Sequence, residues 1–337
     1  GTVLVFCEAR EAGDTGDIDI LVKRSKDNGK TWSDELLVWD DGKNTCGNPC
    51  PVVDEETGRI WLILSWNNGK DGETAIIHKT SSMPRVPYVC YSDDDGLTWS
   101  KPVQMDQAVR DASWGWYATG PGIGIQLKRG THKGRLVIPA NHSYDDPKGK
   151  VRNGPYGYGA HVLYSDDHGK SWKRSESITP GCNESQVTEL SDGTVVMNMR
   201  SYNGKYSRAI RISKDGGATW SAIDHDLQLI ESICQASILN FGQVMGKSAH
   251  LFLNPAVPIG RTHMTIRTSF DDCKSWSNSK LIYKGPSGYS SLTKLPNGRI
   301  GIFFEAGKKK TYEKMVFISM PAAELFTAGA AINEADL

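Results

Sequence analysis

The chain carries no surplus of charge. Its 39 Lys and Arg are balanced by 39 Asp and Glu over 337 residues. That balance argues against nucleic acid as the main partner, because binding phosphates favours a basic excess; it leaves room for a local cluster of arginines. No apolar run reaches the ~20 residues that a membrane span requires. No helix-period segment of useful length occurs before the final stretch, Pro321–Leu337, which reads as a short helix or a frayed tail. No linker rich in Pro, Ser or Gly divides the chain. The seven cysteines (Cys7, Cys46, Cys50, Cys90, Cys182, Cys234 and Cys273) are odd in number and include no CxxC pair. Neither a metal site nor a disulfide framework follows from them, and they read as small buried apolar residues. No secretion signal opens the chain: residue 1 is Gly, followed at once by the strand-like TVLVFCEA, as expected of a mature or trimmed product.

What is present is a repeat. The pattern Ser-x-Asp-x-Gly-x-x-Trp recurs at Ser25–Trp32, Ser92–Trp99, Ser165–Trp172, Ser213–Trp220 and Ser269–Trp276, the last with Cys273 in the Gly position. Each copy follows a short run rich in β-branched and aromatic residues, which reads as a strand. The Asp-x-Gly is a hairpin-turn signal: Asp bonds nearby backbone amides and Gly accepts a positive φ. The Trp is expected to cover the turn and pack between sheets. These boxes are folding devices and bind nothing themselves. Cys273 is tolerated only if its backbone avoids a positive φ, so the fifth copy is expected to be distorted. A repeated supersecondary unit buries its apolar faces against its neighbours. The reading is one all-β domain over residues 1–337, a six-bladed β-propeller of four-stranded blades, five of which carry a box. Since residue 1 already lies in a strand, the closing strand is expected to be absent or borrowed from the C-terminus.

Other stretches resemble the bacterial exo-sialidase (neuraminidase) family of glycoside hydrolases, from FCEAR at Phe6 to FFE at Phe303. Phe6–Arg10 followed by Gly13-Asp14-Thr15-Gly16-Asp17-Ile18-Asp19 is similar to FxEGR…SDxGDID. The match implies Asp14 as general acid/base and Arg10 beside the C4 substituent of the sugar. By themselves these residues read equally as a solvated acidic loop. Asn183-Glu184-Ser185 through Leu190, then Asn198-Met199-Arg200-Ser201, resembles ESxxVEL…NxRS and implies that Glu184 pairs with the nucleophile and Arg200 grips the substrate carboxylate. Glu189 is the alternative acid there, placed at the surface by the Asp-Gly turn after it. Asn254-Pro255-Ala256 with Arg261-Thr262-His263 resembles NP…RxxxTxR. Arg261 is taken for the carboxylate, and Arg267 is expected to face outward. Gly285-Pro286-Ser287-Gly288-Tyr289-Ser290 looks like GPSxYSxL, whose Tyr is the family's nucleophile. Glu305 matches a carboxylate that braces an Arg. Gly47–Val53 with Leu64–Asn67 resembles the second blade, with Asp71 offered to the C4 hydroxyl, and Trp116–Gly122 resembles the pocket-lining WYATGPG.

The chemistry implied suits these residue types. Arginine's planar fork matches a carboxylate with two parallel hydrogen bonds. Sialic acid carries its carboxylate on the anomeric carbon and would repel an anionic Asp or Glu nucleophile, whereas a neutral Tyr avoids this. Nearby Arg charges are expected to favour the phenolate while Glu184 accepts its proton. The resemblance therefore implies a retaining exo-α-sialidase acting on sialylated glycans, without metal or cofactor, secreted, periplasmic or at the cell surface. Two alternatives stay open: a sialic-acid-binding propeller without turnover, and a trans-sialidase with an aromatic acceptor platform, for which Trp114 and Trp116 are candidates. One departure stands out. The family's first carboxylate-binding Arg, in an (F/Y)RIP motif some twenty residues before the acid/base Asp, has no counterpart in this sequence. Loss of such a contact typically costs about 2–4 kcal/mol, so weakened activity is expected.

Overall fold

In the computed structural model, residues 1–326 are described. Short antiparallel strands follow one another as meanders around a ring. Blade I comprises Val3–Arg10, Ile18–Ser25 and Leu36–Trp39. Blade II comprises Thr45–Val53, Ile60–Asn67, Val86–Ser92 and Val103–Gln104. Blade III comprises Tyr117–Thr119, Leu136–Asp145, Tyr156–Ser165 and Lys173–Arg174, with Ile125–Gln126 added beside its second strand. Blade IV comprises Cys182–Glu189, Val195–Ser201, Ser207–Ser213 and Asp224–Ile230. Blade V comprises Ser237–Val244, Lys247–Pro255, Thr262–Ser269 and the first part of Asn278–Lys294. The remainder of that long strand pairs with Ile300–Ala306, which pairs with Lys314–Met320 to make blade VI.

Six blades are therefore present, but not six of four strands. Blades I and VI show three each among the described residues. In blades II to V the box joins the third and fourth strands; in blade I it joins Ile18–Ser25 to Leu36–Trp39, so Val3–Arg10 stands in second position. Among the described residues that strand pairs on one side only, and it is mostly half-buried, whereas the hub strand of blade IV, Cys182–Glu189, is buried throughout. The expected C-terminal helix is a single turn, Ala323–Phe326; the rest of that stretch lies outside the described residues.

Apolar side chains collect in clusters between successive blades: Ile20 and Val22 with Leu62 and Leu64, Trp61 and Ile63 with Leu136 and Leu163, Val137 and Val162 with Val187 and Met197, Leu229 with Phe252 and Trp276, and Leu251 and Ile266 with Ile302 and Phe304. A blade apolar on both faces must be covered twice, and a ring supplies both covers. The ring closes where Trp32 of blade I meets Phe317 of blade VI edge-on, ring centroids 5.0 Å apart.

All five boxes adopt the same turn. The Ser hydroxyl donates to the Asp, as in Ser213 Oγ to Asp215 Oδ1 at 2.7 Å, and accepts the Gly217 amide at 2.8 Å. The Asp carboxylate takes the amide and hydroxyl four residues on, here Thr219, at 2.9 and 2.7 Å. Two consecutive residues take positive φ, 57° and 62° at Asp272 and Cys273 in the fifth copy. That copy keeps its bonds (Cys273 N to Ser269 Oγ 3.0 Å, Ser275 N to Asp271 Oδ1 2.9 Å), so the expected distortion is absent and Cys273 sits in the left-handed region. The hydrogen-bond set outweighs the unfavourable backbone of one non-glycine residue, about 1–2 kcal/mol. At the first copy glycine is sterically required, since a Cβ on Gly29 would lie 2.0 Å from Phe317.

Candidate active site at the mouth of the ring

An antiparallel meander places the connection between second and third strands at one end of the blade and the box, between third and fourth, at the other. The candidate residues gather at the first of these ends. Hub strands hold them there through a chain of polar contacts. Thr119 Oγ1 donates to Asn48 O at 2.6 Å, Ser185 N to Gly120 O at 3.2 Å, and Gln235 Nε2 to Pro121 O and Ser290 O, each at 2.9 Å. These contacts link blade III to blades II, IV and V, and blade V to blade VI, at the axis. Gly120 takes φ +48°, and a Cβ there would approach Gly122 N to 2.7 Å, so the Gly-Pro-Gly turn works as a hub linker.

Tyr289 begins the hub strand of blade VI and points its hydroxyl at blade IV, where it donates to Glu184 Oε1. Arg200, at the end of the second strand of blade IV, donates from Nη1 to Glu184 Oε2 at 2.7 Å and to the Tyr289 hydroxyl at 3.3 Å. Arg261, in the blade V connection, has its guanidinium 5.5 Å from the Tyr289 ring centroid and donates to Tyr312 Oη at 2.6 Å. The four groups Glu184, Arg200, Arg261 and Tyr289, more than 100 residues apart in sequence at the extremes, meet at one place. Glu184 is buried and Tyr289 half-buried. Burial, and then the Glu184 charge, push the Tyr289 phenol well above its ordinary value; Arg200 opposes them and loses. Arg200 acts in the expected direction, toward the phenolate, but burial and the Glu184 charge outweigh it, so the resting tyrosine is a protonated phenol. The Arg200 guanidinium is held charged, its burial outweighed by Glu184, Tyr289 and Tyr202.

Glu305 differs from its expected role. Its Oε2 accepts the Tyr289 amide at 2.8 Å, and no Arg among the described residues comes within 4 Å of it. It positions the tyrosine backbone, and burial raises its carboxyl. Gly288 makes room for this, since a Cβ there would lie 2.3 Å from Glu305 Oε2. Glu189 is not at the surface: it is buried and accepts the amides of Lys128 and Arg129, both at 2.9 Å, at the far end of the blade. Arg267 is half-buried and donates to Asn254 Oδ1 at 3.1 Å rather than facing outward.

Blade I contributes Arg10 and Asp14. Arg10 donates from Nε to Glu8 Oε2 at 2.7 Å and from Nη1 to Asp14 Oδ1 at 2.5 Å. Asp14 is 86 % exposed and bonds Arg10, not the Tyr289–Glu184 pair. It lies within electrostatic reach of Tyr312, and Arg10 within that of Glu305, so both belong to the same rim. Asp71 spends Oδ2 on the amide and hydroxyl of Ser82 in its own connection. Trp114 is buried and stacked on His142 (centroids 3.6 Å apart), so it provides no acceptor platform; Trp116 lies against the Arg85 guanidinium.

Arg85 is a member that sequence reading missed. It is 3 % exposed and donates to Ser65 Oγ at 3.2 Å, to Asn67 Oδ1 and to Asn48 Oδ1 at 2.7 Å. Asn48 N in turn donates to Glu8 Oε1 at 2.6 Å, and Glu8 carries Arg10. Burial pulls Arg85 down to about 10. Nothing in MPRVPYVCY distinguishes it from a surface arginine. Behind Arg200 lies a second buried pair, Arg208 and Glu231. Glu231 Oε1 accepts the Ser201 amide at 2.8 Å and Arg208 Nε donates to Asn198 Oδ1 at 2.6 Å, bracketing Arg200 on its strand. No cluster of His, Cys, Asp and Glu suited to a metal occurs among the described residues, and all seven cysteines are free. Among the described residues no helix is long and apolar enough to cross a membrane.

Comparison with known proteins agrees with this architecture. The BNR repeat-like domain family matches residues 1–302. A sialidase of Bacteroides fragilis is 33% identical over 308 residues, covering 86% of this chain and 54% of that protein. A sialidase of Micromonospora viridifaciens is 33% identical over 326 residues, covering 91% and 48%. The chain thus spans about half the length of these curated relatives. Among solved structures, a Hadza microbial sialidase superposes with a TM-score of 0.81 at 29% identity, over 96% of this chain and 64% of that one. An intramolecular trans-sialidase from Ruminococcus gnavus, at 20% identity and a TM-score of 0.79, shares the fold. On the repeats, the propeller and these relatives together, the chain belongs to the bacterial sialidase family of BNR-repeat glycoside hydrolases.

Proposed function

We propose that this chain is the catalytic propeller of an exo-α-sialidase, releasing terminal sialic acid from glycans with retention of configuration. The observation that carries the reading is the contact of the Tyr289 hydroxyl with Glu184 under the charge of Arg200. A sugar-binding module needs the arginines but has no use for a phenol hydrogen-bonded to a buried carboxylate. In the proposed first step Glu184 takes the Tyr289 proton as the phenolic oxygen attacks the anomeric carbon, while Asp14 gives a proton to the departing glycosidic oxygen. The sugar–aglycone bond breaks and a covalent glycosyl–tyrosine (aryl glycoside) bond forms between the Tyr289 oxygen and the anomeric carbon. Asp14, now a carboxylate, takes a proton from water, which attacks the same carbon; Tyr289 leaves and recovers its proton from Glu184. Arg200 and Arg261 hold the substrate carboxylate, a bidentate acceptor suited to guanidinium. Asp14 must exchange Arg10 for the substrate as the complex forms. Arg10 and Asp71 are assigned to the ring substituents, and Glu305 to the placement of Tyr289. Sialylated glycans are the proposed partners, met in a secreted, periplasmic or cell-surface setting.

A fluorogenic sialoside tests the reading. The expected result is release by the wild type, abolished in Tyr289→Phe, with the α anomer as the first product in a proton NMR time course. Equal release by Tyr289→Phe, or the β anomer first, refutes the assignment.

A further inference from the structure

The six connections at the mouth differ in charge balance. In blades II and III the charged groups neutralise each other: Lys79 bonds Asp145 at 2.6 Å, and Arg152 clasps Glu73. Blade I stays acidic beyond the Arg10–Asp14 pair, with Glu11 exposed and Asp17 half-buried. Blade VI presents the reverse. Its connection carries Lys308, Lys309 and Lys310, all exposed; none of their ammonium groups forms an ion pair within 4 Å among the described residues, and the one carboxylate of the loop, Glu313, leaves the three lysines in excess. In a chain of zero net charge this is a local excess.

The basic run is built, not loose. Glu313 accepts the backbone amides of Lys308, Lys309 and Lys310 at 2.9, 3.0 and 2.8 Å, which turns the three amides inward and the side chains out. Gly307 N donates to Pro286 O at 3.0 Å, and Gly307 O accepts from the Tyr283 hydroxyl at 2.8 Å. Thr311 and Tyr312 sit over Gly288, within 2.7 and 3.4 Å of where its Cβ would be, beside Tyr289. Tyr312, 66% exposed, bonds Arg261. The ammonium groups are therefore mounted on a fixed loop that begins two residues after Glu305.

We infer that Lys308, Lys309 and Lys310 form a subsite for an anionic group on the aglycone, the part of the glycan beyond the sugar that is cleaved. This deepens the proposed sialidase reading and rests on it. The group is a carboxylate of a penultimate sialic acid or a sulfate ester, since both offer the same charge to an ammonium. The adjoining acidic lobe of blade I repels that group and turns it toward blade VI, so the two lobes orient the aglycone as well as attract it. Exposed charges act through solvent, so the effect is on encounter and KM and weakens with salt.

The test compares kcat/KM for 3'-sialyllactose, whose aglycone is neutral, with that for an α2-8-linked sialic acid trimer and a sulfated sialyllactose. Wild type is set against the combined Lys308→Glu, Lys309→Glu, Lys310→Glu variant and the corresponding Lys→Gln variant, which keeps the fold test independent of charge reversal. The expected outcome is a loss of about tenfold on the anionic aglycones at low salt, less than about twofold on the neutral one, and convergence of the two near 0.5 M salt. A response to the trimer alone assigns the carboxylate; a response to the sulfated sugar alone assigns the sulfate. An unchanged ratio between anionic and neutral substrates, or an equal loss on all three, overturns the subsite while leaving the sialidase reading intact. No release from any of the three by the wild type refutes the sialidase reading, and the subsite falls with it.

Discussion

The two ends of each blade obey different rules. At the box end, five turns repeat one hydrogen-bond set nearly atom for atom, and each abuts the preceding blade. Gly96 faces Leu4, Gly169 faces Trp61, and Gly217 faces Val162. At the mouth end no two connections are alike: one carries the Arg10–Asp14 pair, another a helical turn at Glu73–Ile77, another the lysine run. The difference shows how one scaffold separates stability from chemistry. Repeated turns lock the ring, and unrepeated connections are free to hold reactive groups at its axis.

If that division is real, damage at the mouth should remove activity without removing the fold. Tyr289→Phe or Glu184→Gln is expected to lower kcat about 100- to 10,000-fold, with Tm within a degree or two of wild type. A large fall in Tm alongside would break the comparison.

A buried polar group behind the mouth sharpens it. His142 and His161 are fully buried in blade III with their Nδ1 atoms 3.0 Å apart. Burial holds both well below the ordinary histidine value, His161 to about 3. The unfolded chain takes up protons below about pH 6.5 while the folded ring does not. Stability is therefore complete above that pH and falls as pH drops toward 3, by at most about 1.4 kcal/mol per pH unit for each histidine. Thermal melts between pH 7 and 4 should show this slope, and a His142→Gln, His161→Gln variant should flatten it.

At the box end the reverse separation is expected. Asp215→Ala removes the acceptor of four bonds. It should cost about 2 kcal/mol, read as a few degrees of Tm, with kcat of the folded fraction unchanged. The Asp215 carboxyl, which these bonds hold down to about 2 against the opposing effect of burial, should lose that contribution as pH falls below about 3.8 toward 2. The smallest effect is expected at Cys273→Gly, which relieves a positive φ but enlarges the unfolded ensemble and removes a half-buried thiol. A change within about 1 kcal/mol in either direction is expected from chemical denaturation.

The box end was legible because its logic is local: Ser, Asp, Gly and Trp within eight residues specify one turn. The mouth was legible only through motif resemblance, and the errors there have a common cause. Glu189 and Arg267 were placed at the surface from strand position and Glu305 beside an Arg from resemblance, yet each bonds a group on a neighbouring strand or blade that spacing does not reveal. Arg85 escaped notice for the same reason, since its three side-chain acceptors come from two other strands of its blade. Cys273 misled in the other direction: a propensity rule was applied to a turn whose hydrogen bonds are strong enough to override it.

Five of the six joints in the ring have a backbone running across them and a buried apolar cluster within. At the sixth, Trp32 and Gly29 lean on Phe317, and among the described residues no strand connection crosses. Asp14 belongs to one side of that joint and Tyr289 to the other. Parting the two blades by an ångström or two would disconnect the proton donor from its nucleophile while every hairpin stayed intact, so warming should silence the protein before it melts.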